Sequence, residues 1–325
     1  MSAEPEPAPD GAPAASAATL DTYHGRATRR LVSDRLWVDV LADAGPRIVR
    51  LGLAGSERNV LAETPGLGWE TPHGRYELFG GHRLWFAPED PDRVAVPDGQ
   101  GLVVEVEPGG IVLTGPPEPQ TGLVRSIAIR PLAGRPSLDV CHELRNVGDR
   151  PVELAPWSIT QLPLDGTVIL PQPAATPGHH VRPNRSLVLW PYTSWEDPRF
   201  RPLDGLLLLA AQAGPSFKVG YFNEAGWVGY LRDGIVLVRR FDALAGRAHP
   251  DLGCNVEVYI GGRFLELELL GPLAELRPGG TVQLRERWDL LAIEDAAGPA
   301  GILDLAGIRD VATRVAADQP ISVTR

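Results

Sequence analysis

Short runs in which hydrophobic and polar residues alternate dominate the chain from Leu36 onward. Gly, Pro, Asn or Asp interrupts these runs roughly every eight to twelve residues, which is typical of all-β proteins. Alternation predicts strands because successive side chains of a strand point to opposite faces of the sheet. The predicted strands are 36–41, 47–53, 102–107, 123–130, 137–145, 152–162, 186–190, 206–211, 217–222, 226–231, 235–241, 256–260, 264–270 and 281–290.

The order of these elements favours one large antiparallel β-sandwich over 21–292. No helical segment separates the strands, which argues against a parallel sheet, and no repeat of fixed period supports a propeller or a solenoid. Within 293–325, a C-terminal extension, apolar residues recur at helical spacing and predict one amphipathic helix that caps the fold. Residues 1–20 are rich in Ala, Pro and Glu and lack the pattern of a secretory signal, so we expect a disordered tail there.

Composition and charge limit the class of protein and its partners. Hydrophobic residues make up 43% of the 325 residues, as in ordinary globular proteins, and no apolar run approaches the roughly 20 residues of a membrane helix. The net charge of -10 argues against nucleic acid as a partner. Cys141 and Cys254 form no disulfide framework or zinc pattern, so we expect a cytoplasmic protein without metal or cofactor. His179 and His180 are only a weak metal signal, and the sequence leaves the oligomeric state open.

Carboxylates and tryptophans are the candidates for chemistry. Glu266 and Glu268 alternate with leucines, so both carboxylates point to one face of a predicted strand, either into a cleft or into solvent. A cleft that binds sugar commonly pairs an aromatic plane with carboxylates and Arg. Of the eight tryptophans, those in turn-rich segments suit a cleft (Trp85, Trp157, Trp190 and Trp195), whereas the others singled out suit a core (Trp37, Trp227 and Trp288). Lys218 is the only lysine, and we interpret the excess of Arg as coding bias.

Several segments resemble the galactose mutarotase-like, or aldose 1-epimerase-like, superfamily. They occur in the family's order at 79–85 (FGGHRLW), 146–157 (NVGDRPVELAPW), 258–268 (VYIGGRFLELE) and 276–282 (LRPGGTV). Further segments at 80–85, 189–192, 197–199 and 264–272 resemble an uncharacterised bacterial subfamily. The resemblance implies a β-supersandwich and a small carbohydrate as ligand, bound on the concave sheet.

The resemblance also implies a catalytic pair. In those enzymes a glutamate on a late strand is the base and a histidine on a middle strand is the acid, and Glu268 matches the base better than Glu266. The middle strand here has Trp157 or Ser158 where the histidine is expected. His82, interpreted as part of a Gly-Gly loop, is the tentative acid, and His142 is interpreted as an interior histidine.

The same family-like loops contain arginines that either hold a carboxylate or phosphate on an anionic sugar or serve the ordinary surface roles of basic residues: Arg47, Arg83, Arg185 and Arg199. Three functions stay open at this point. The protein is an epimerase-type isomerase, a sugar-binding protein without catalysis, or a hydrolase or lyase. The third would need a second carboxylate, such as Glu89 or Asp197, opposite Glu266 or Glu268.

Overall fold

The computed structural model describes residues 18–175, 178, 182–293 and 305–317. Its elements are β1 (Ala18–Tyr23), β2 (Arg26–Val32), β3 (Leu36–Leu41), β4 (Arg47–Leu53), β5 (Glu63–Thr71), β6 (Gly74–Gly80), β7 (His82–Ala87), β8 (Val103–Glu107), β9 (Gly110–Thr114), β10 (Leu123–Pro131), β11 (Ser137–Asn146), β12 (Val152–Leu162), β13 (Thr167–Pro171), β14 (Val188–Leu189), β15 (Phe200–Leu203), β16 (Leu206–Ala210), β17 (Phe217–Tyr221), β18 (Trp227–Arg232), β19 (Ile235–Phe241), α1 (Pro250–Gly253), β20 (Val256–Ile260), β21 (Leu265–Leu270), β22 (Ala274–Leu276), β23 (Thr281–Ala292) and α2 (Leu305–Ala317).

Two large antiparallel sheets form the fold. The first sheet has the order β1-β2-β3-β4-β7-β12-β21-β20-β17-β14, and β22 also pairs with β12. The second sheet has the order β15-β16-β13-β18-β19-β23-β11-β10-β9-β8, and β5 pairs with β6 in a separate hairpin. The predicted antiparallel β-sandwich is therefore confirmed.

Alternation in β21 shows how the first sheet buries one face and frees the other. Leu265, Leu267 and Leu269 are fully buried in the main core, between the sheets. The glutamates between them, Glu266 and Glu268, therefore point to the outer face of the first sheet. Strand β12 lies beside β21, with Ile159 opposite Glu268, so the two strands share that outer face.

The second sheet is covered on its outer face by α2. Ile308, Val311, Ala312 and Val315 are buried and belong to one apolar cluster with residues of the second sheet, among them Trp227. This arrangement confirms the predicted C-terminal helical cap, although Ile302 lies outside the described residues. Among the described residues, no helix is both long and apolar enough to span a membrane.

All fourteen predicted strands are present, and two of the strands that escaped prediction show why. In β7 the two polar residues, His82 and Arg83, are adjacent, so polar and apolar residues do not alternate along the strand. In β5 Gly and Pro interrupt the pattern. The first strand, β1, begins at Ala18, inside the segment expected to be a tail, and residues 1–17 lie outside the described part of the chain.

Candidate functional site

A cavity of about 290 Å³ opens on the outer face of the first sheet. Its floor comes from alternate residues of β7, β12, β21, β20 and β17, and its rim from the β5–β6 hairpin and the segments that follow β7 and β14. The lining residues are Trp69, Leu78, Arg83, Trp85, Glu89, Trp157, Ile159, Tyr192, Lys218, Tyr259, Phe264, Glu266 and Glu268. The cavity combines apolar and aromatic walls with five charged side chains, and such a pairing of apolar walls with placed polar groups is typical of small-molecule sites.

Strand register explains why these side chains meet. Trp157 lies opposite Trp85 of β7, and Ile159 lies opposite both Arg83 of β7 and Glu268 of β21. Directly opposed residues of antiparallel strands point to the same face with their Cβ atoms about 5 Å apart. The sheet therefore places the two tryptophans in one row and the charged groups in the next rows.

Glu268 is the buried carboxylate of the cavity floor, with only 1% of its surface exposed. Its Oε2 accepts hydrogen bonds from the indole N–H of Trp157 at 2.8 Å and from Nζ of Lys218 at 3.0 Å. Burial raises the pKa of Glu268 above its ordinary value, against the lowering effect of Lys218. Both bonds go to Oε2, so Oε1 is the oxygen that is left to meet a ligand.

Lys218 links two carboxylates at the cavity floor. Its Nζ is 3.0 Å from Oε2 of Glu268 and 2.7 Å from Oε2 of Glu257, a fully buried residue of β20. Burial by itself lowers the pKa of Lys218, but the two carboxylates outweigh burial and raise it. For Glu257, burial outweighs the lowering effect of Lys218 and raises the pKa to about 9.

Arg83 and Glu266 form a second charged pair beside the first. Nη2 of Arg83 is 2.8 Å from Oε1 of Glu266, and the amide of Gln161 donates to the same oxygen at 3.1 Å. The guanidinium of Arg83 also lies 4.3 Å from the ring centroid of Trp85. Arg83 is therefore neutralised and oriented by protein groups before any ligand binds.

Aromatic rings form the walls. The rings of Trp85 and Trp157 meet edge to face at 5.6 Å between centroids, and the indole N–H of Trp85 donates to the hydroxyl of Tyr76 at 3.0 Å. Trp69 and Tyr192 at the rim are 40% and 49% exposed. Rigid inner rings and accessible outer rings give the cavity apolar planes on which the C–H face of a sugar can stack.

His82 lies elsewhere, which corrects the interpretation of its segment as a loop. It is the first residue of β7, it is fully buried, and it faces the space between the sheets. One ring nitrogen contacts the hydroxyl of Thr160 at 2.9 Å and the other contacts Nε2 of His142 at 2.7 Å. His82 is not among the cavity residues, whereas His142 is interior, as interpreted from the sequence.

The middle strand resolves the choice between Trp157 and Ser158. Trp157 faces the cavity and Ser158 faces the interior, where its hydroxyl bonds to Glu286 and accepts from Arg239. An indole thus occupies the cavity position on this strand. Because the indole N–H is only a hydrogen-bond donor, Trp157 orients Glu268 but cannot transfer a proton.

The remaining predicted residues divide between the cavity and other places. Glu89 lines the cavity, and partial burial raises the pKa of its carboxyl. Trp190 is half-buried behind Lys218, with its ring centroid 4.6 Å from Nζ. Arg47 is fully buried and bonds to Tyr76 and Asp98, so it supports the wall through Tyr76.

Like Arg47, Arg199 and Arg185 lie outside the cavity lining, so three of the four predicted arginines do. Arg199 is 4% exposed and holds Asp197 with a bidentate pair at 2.6 and 2.8 Å, which removes Asp197 as a partner for the glutamates. Arg185 is exposed and approaches Asp204 at 4.0 Å. Of the arginines expected to hold an anion, only Arg83 reaches the cavity, and a carboxylate already neutralises it.

Sequence reasoning missed Lys218, Glu257, Tyr259, Tyr192 and Trp69. The sequence contained one signal: among 31 Lys and Arg residues, Lys218 is the only lysine, so this position departs from the strong preference of the chain for Arg. Across the described residues, no group of three or more His, Cys, Asp or Glu side chains is arranged to hold a metal ion. His179 and His180 lie outside those residues.

Comparison with known proteins identifies the fold. No protein-family profile matches the chain, and no curated protein matches it. Solved structures do match. A TPR-domain containing protein from Parabacteroides distasonis has a TM-score of 0.57 at 14% identity, over 87% of this chain and 51% of that one, so this chain spans about half its length.

Two other matches extend over almost the whole of the compared proteins. A galactose mutarotase-like protein from Lactobacillus casei has a TM-score of 0.54 at 10% identity, over 81% of this chain and 100% of that one. A galactose mutarotase-like protein from Clostridium acetobutylicum has a TM-score of 0.51 at 8% identity, over 86% and 99%. At these identities the likeness shows the fold: the chain has the galactose mutarotase-like fold.

Proposed function

We propose that this protein binds an aldose in the cavity and interconverts its anomers, with Glu268 as the general base. The observation that carries the proposal is the setting of Glu268. It is a buried carboxylate at the floor of an aromatic-walled cavity, with Oε2 held by Trp157 and Lys218. The galactose mutarotase-like fold supports a carbohydrate as the ligand class.

Interconversion of anomers needs a group that removes the proton from the C1 hydroxyl. The ring then opens, the bond between C1 and C2 rotates, and the ring closes on the other face. A base works best when its pKa lies near the operating pH, and burial moves the pKa of Glu268 in that direction. The fixed Oε2 holds the carboxylate in one orientation and directs Oε1 to the ligand.

The cavity favours a neutral sugar over an anionic one. Each of its two cations contacts a carboxylate, since Arg83 pairs with Glu266 and Lys218 pairs with Glu268. An anionic ligand would have to compete with these carboxylates and would meet Glu89 as well. A neutral aldose instead meets aromatic faces and groups that accept or donate hydrogen bonds to hydroxyls, such as Glu266 and Tyr259.

A sugar-binding protein without catalysis is the second candidate. It is favoured by the presence of Trp157 on the middle strand, because an indole cannot serve as an acid. On this alternative, Glu268 only accepts a hydrogen bond from a sugar hydroxyl. The same cavity residues would then serve recognition alone.

Proton NMR separates the two candidates. Purified protein is mixed with neutral aldoses, uronic acids and sugar phosphates, and saturation transfer from the protein and exchange between α and β anomers are recorded in the same samples. Accelerated anomer exchange with one sugar supports the isomerase, whereas saturation transfer without exchange supports the binding protein. If neither saturation transfer nor accelerated exchange is observed with any sugar, both candidates are refuted.

Substitution of Glu268 by Gln sharpens the test. If Glu268 is the base, E268Q should bind the sugar and lose exchange by at least about 100-fold. If the protein only binds, E268Q should weaken affinity by about 1 to 3 kcal/mol through the lost charged hydrogen bond. Glu275→Gln, at an exposed position of β22, is the matched control and should leave both signals unchanged.

A further inference from the structure

We infer that Lys218 is the general acid of this site and gives the ring oxygen of the sugar its proton when the ring opens. The inference rests on the proposed function, since it completes the acid and base pair of anomer exchange. It fills the role for which Trp157 is chemically unsuited and His82 is out of reach.

The position of Lys218 meets the geometric requirement for a partner of Glu268. It lies on β17, it is 6% exposed and it lines the cavity. Contacts with Glu268 and Glu257 occupy two of the three N–H groups of the ammonium, so the third is left for a ligand oxygen. The rings of Trp157 and Trp190, with centroids 5.0 and 4.6 Å from Nζ, hold the cation in place.

The identity of the residue is itself informative. Arg at this position could form the same ion pairs with more hydrogen bonds. Every other Lys or Arg position of the chain is Arg. Lys differs from Arg in that its ammonium can lose a proton in a protein, whereas the guanidinium cannot. Proton transfer to the sugar requires a basic side chain that can release a proton, and Lys218, which contacts the candidate base, is such a side chain.

The acidity of Lys218 is coupled to the state of Glu268. In the resting site the carboxylate of Glu268 outweighs the effect of burial and keeps the pKa of Lys218 high. Of the two carboxylates in contact with the ammonium, Glu268 has the larger effect on this pKa and Glu257 the smaller. When Glu268 takes the proton of the C1 hydroxyl, its negative charge disappears and burial lowers the pKa of the lysine. The ammonium thus becomes a stronger acid in the step that needs it.

The protons and electrons of the reaction balance within the pair. The C1 hydroxyl gives its proton to Glu268, the C1=O bond forms, and the bond between C1 and the ring oxygen breaks. The electron pair of the broken bond stays on the ring oxygen, which takes a proton from Nζ of Lys218. The neutral Glu268 carboxyl then returns its proton to the neutral amine across the contact at 3.0 Å, which restores the resting site. Rotation about C1–C2 and the reverse sequence give the other anomer.

Two variants test the role. Lys218→Met removes the proton and the charge, and Lys218→Arg keeps the charge but cannot release a proton. Both variants should bind the aldose that wild-type protein exchanges, as measured by saturation transfer, and both should lose anomer exchange by at least about 100-fold. Arg201→Met, at an exposed basic position of the second sheet, is the control and should exchange at the wild-type rate.

The outcomes distinguish this inference from the proposed function. A K218R protein that exchanges anomers at the wild-type rate shows that Lys218 supplies only charge, and it overturns the inference alone. Wild-type protein that fails to exchange any aldose overturns the proposed function and the inference with it.

A second measurement needs no turnover. Because Lys218 is the only lysine, protein labelled with ¹³C-lysine has a single ε-CH₂ signal, whose shift with pH reports the pKa of that residue. The groups in contact with the ammonium are Glu257 and Glu268. The other titratable or charged groups of the cavity are Arg83, Glu89, Tyr192, Tyr259 and Glu266. Glu268→Gln, which mimics the protonated base, should lower the pKa of Lys218 by a unit or more, on the order of a tenfold gain in acidity. An unchanged pKa in E268Q overturns the coupling and therefore the inference.

Discussion

Arg239 supports the candidate base from behind the first sheet, and its replacement by methionine should destabilise the whole fold. Arg239 is fully buried between the sheets, where it pairs with both oxygens of Glu286 at 2.9 Å. It also donates to Ser158 of β12 at 2.7 Å and to the carbonyl of Leu267, next to Glu268. One side chain therefore ties β19 and β23 of the second sheet to the two central strands of the first.

The magnitude follows from the burial of the pair. R239M leaves the carboxylate of Glu286, which has no exposed surface, without its cation. Removing one partner of a buried ion pair costs about 3 to 5 kcal/mol, because the charge that remains keeps its desolvation penalty and loses its compensation. The exposed pair of Arg130 with Glu107, at 53% and 41% exposure, is the matched control, and R130M should cost less than about 1 kcal/mol.

The pH dependence gives the prediction a sign. In wild-type protein burial raises the pKa of Glu286, but Arg239 outweighs burial and holds that pKa below its usual value of 4.5. The pair therefore contributes stability above about pH 4.5, and this contribution is lost as the pH falls through the folded pKa. In R239M we expect burial to outweigh the hydrogen bonds that Ser158 and Trp288 still donate, so the pKa of Glu286 rises above 4.5 and the variant loses stability as the pH rises. The deficit of R239M should be larger at pH 8 than at pH 5.

Urea unfolding followed by tryptophan fluorescence measures these free energies, and the double variant R239M/E286Q separates the causes. If the cost comes from the uncompensated carboxylate, the second substitution should restore part of the loss. A deficit below about 1 kcal/mol at pH 8, or one that is the same at pH 5 and pH 8, would refute the reasoning.

Two further predictions concern the cavity and the interior histidines. Trp157→Phe keeps an aromatic ring but removes the N–H that donates to Glu268. We therefore expect the pKa of Glu268, and with it the acidic limb of the pH profile of the exchange rate, to rise by about one unit. Trp195→Phe, at an exposed position, is the control and should leave this pKa unchanged. Burial lowers the pKa of both His82 and His142 below 6.5, so their neutral forms contribute stability above that pH. The free energy of unfolding should therefore fall as the pH drops from 7 to 5, and His82→Gln should make that fall smaller. An equally steep fall in the variant would contradict the assignment.

The fold could be predicted where strands have two different faces. In β21 leucines alternate with glutamates because one face packs in the core and the other lines the cavity. The alternation therefore predicts both the strand and its two faces. In β7 both faces are covered, since His82 and Leu84 meet the interior while Arg83 and Trp85 meet the cavity, and all six residues are buried. Because the polar residues His82 and Arg83 are adjacent, the sequence of β7 does not alternate, which is why His82 was interpreted as a loop residue free to reach a ligand.

The candidate site was predictable only as far as single strands determine it. Alternation alone places Glu266 and Glu268 on one face, and the middle strand alone shows only that Trp157 or Ser158 stands where the histidine is expected. Which cation meets Glu268 depends instead on sheet order: β17 follows β12 by more than fifty residues in the chain, yet it lies two strands from β21, with β20 between them. Lys218 reaches Glu268 across β20, where the lack of a side chain at Gly220 leaves space for the side chain of Glu257. No local pattern encodes that contact, so only the unusual choice of lysine in an arginine-rich chain pointed to it, and the acid of the proposed reaction became visible only once the strands were in order.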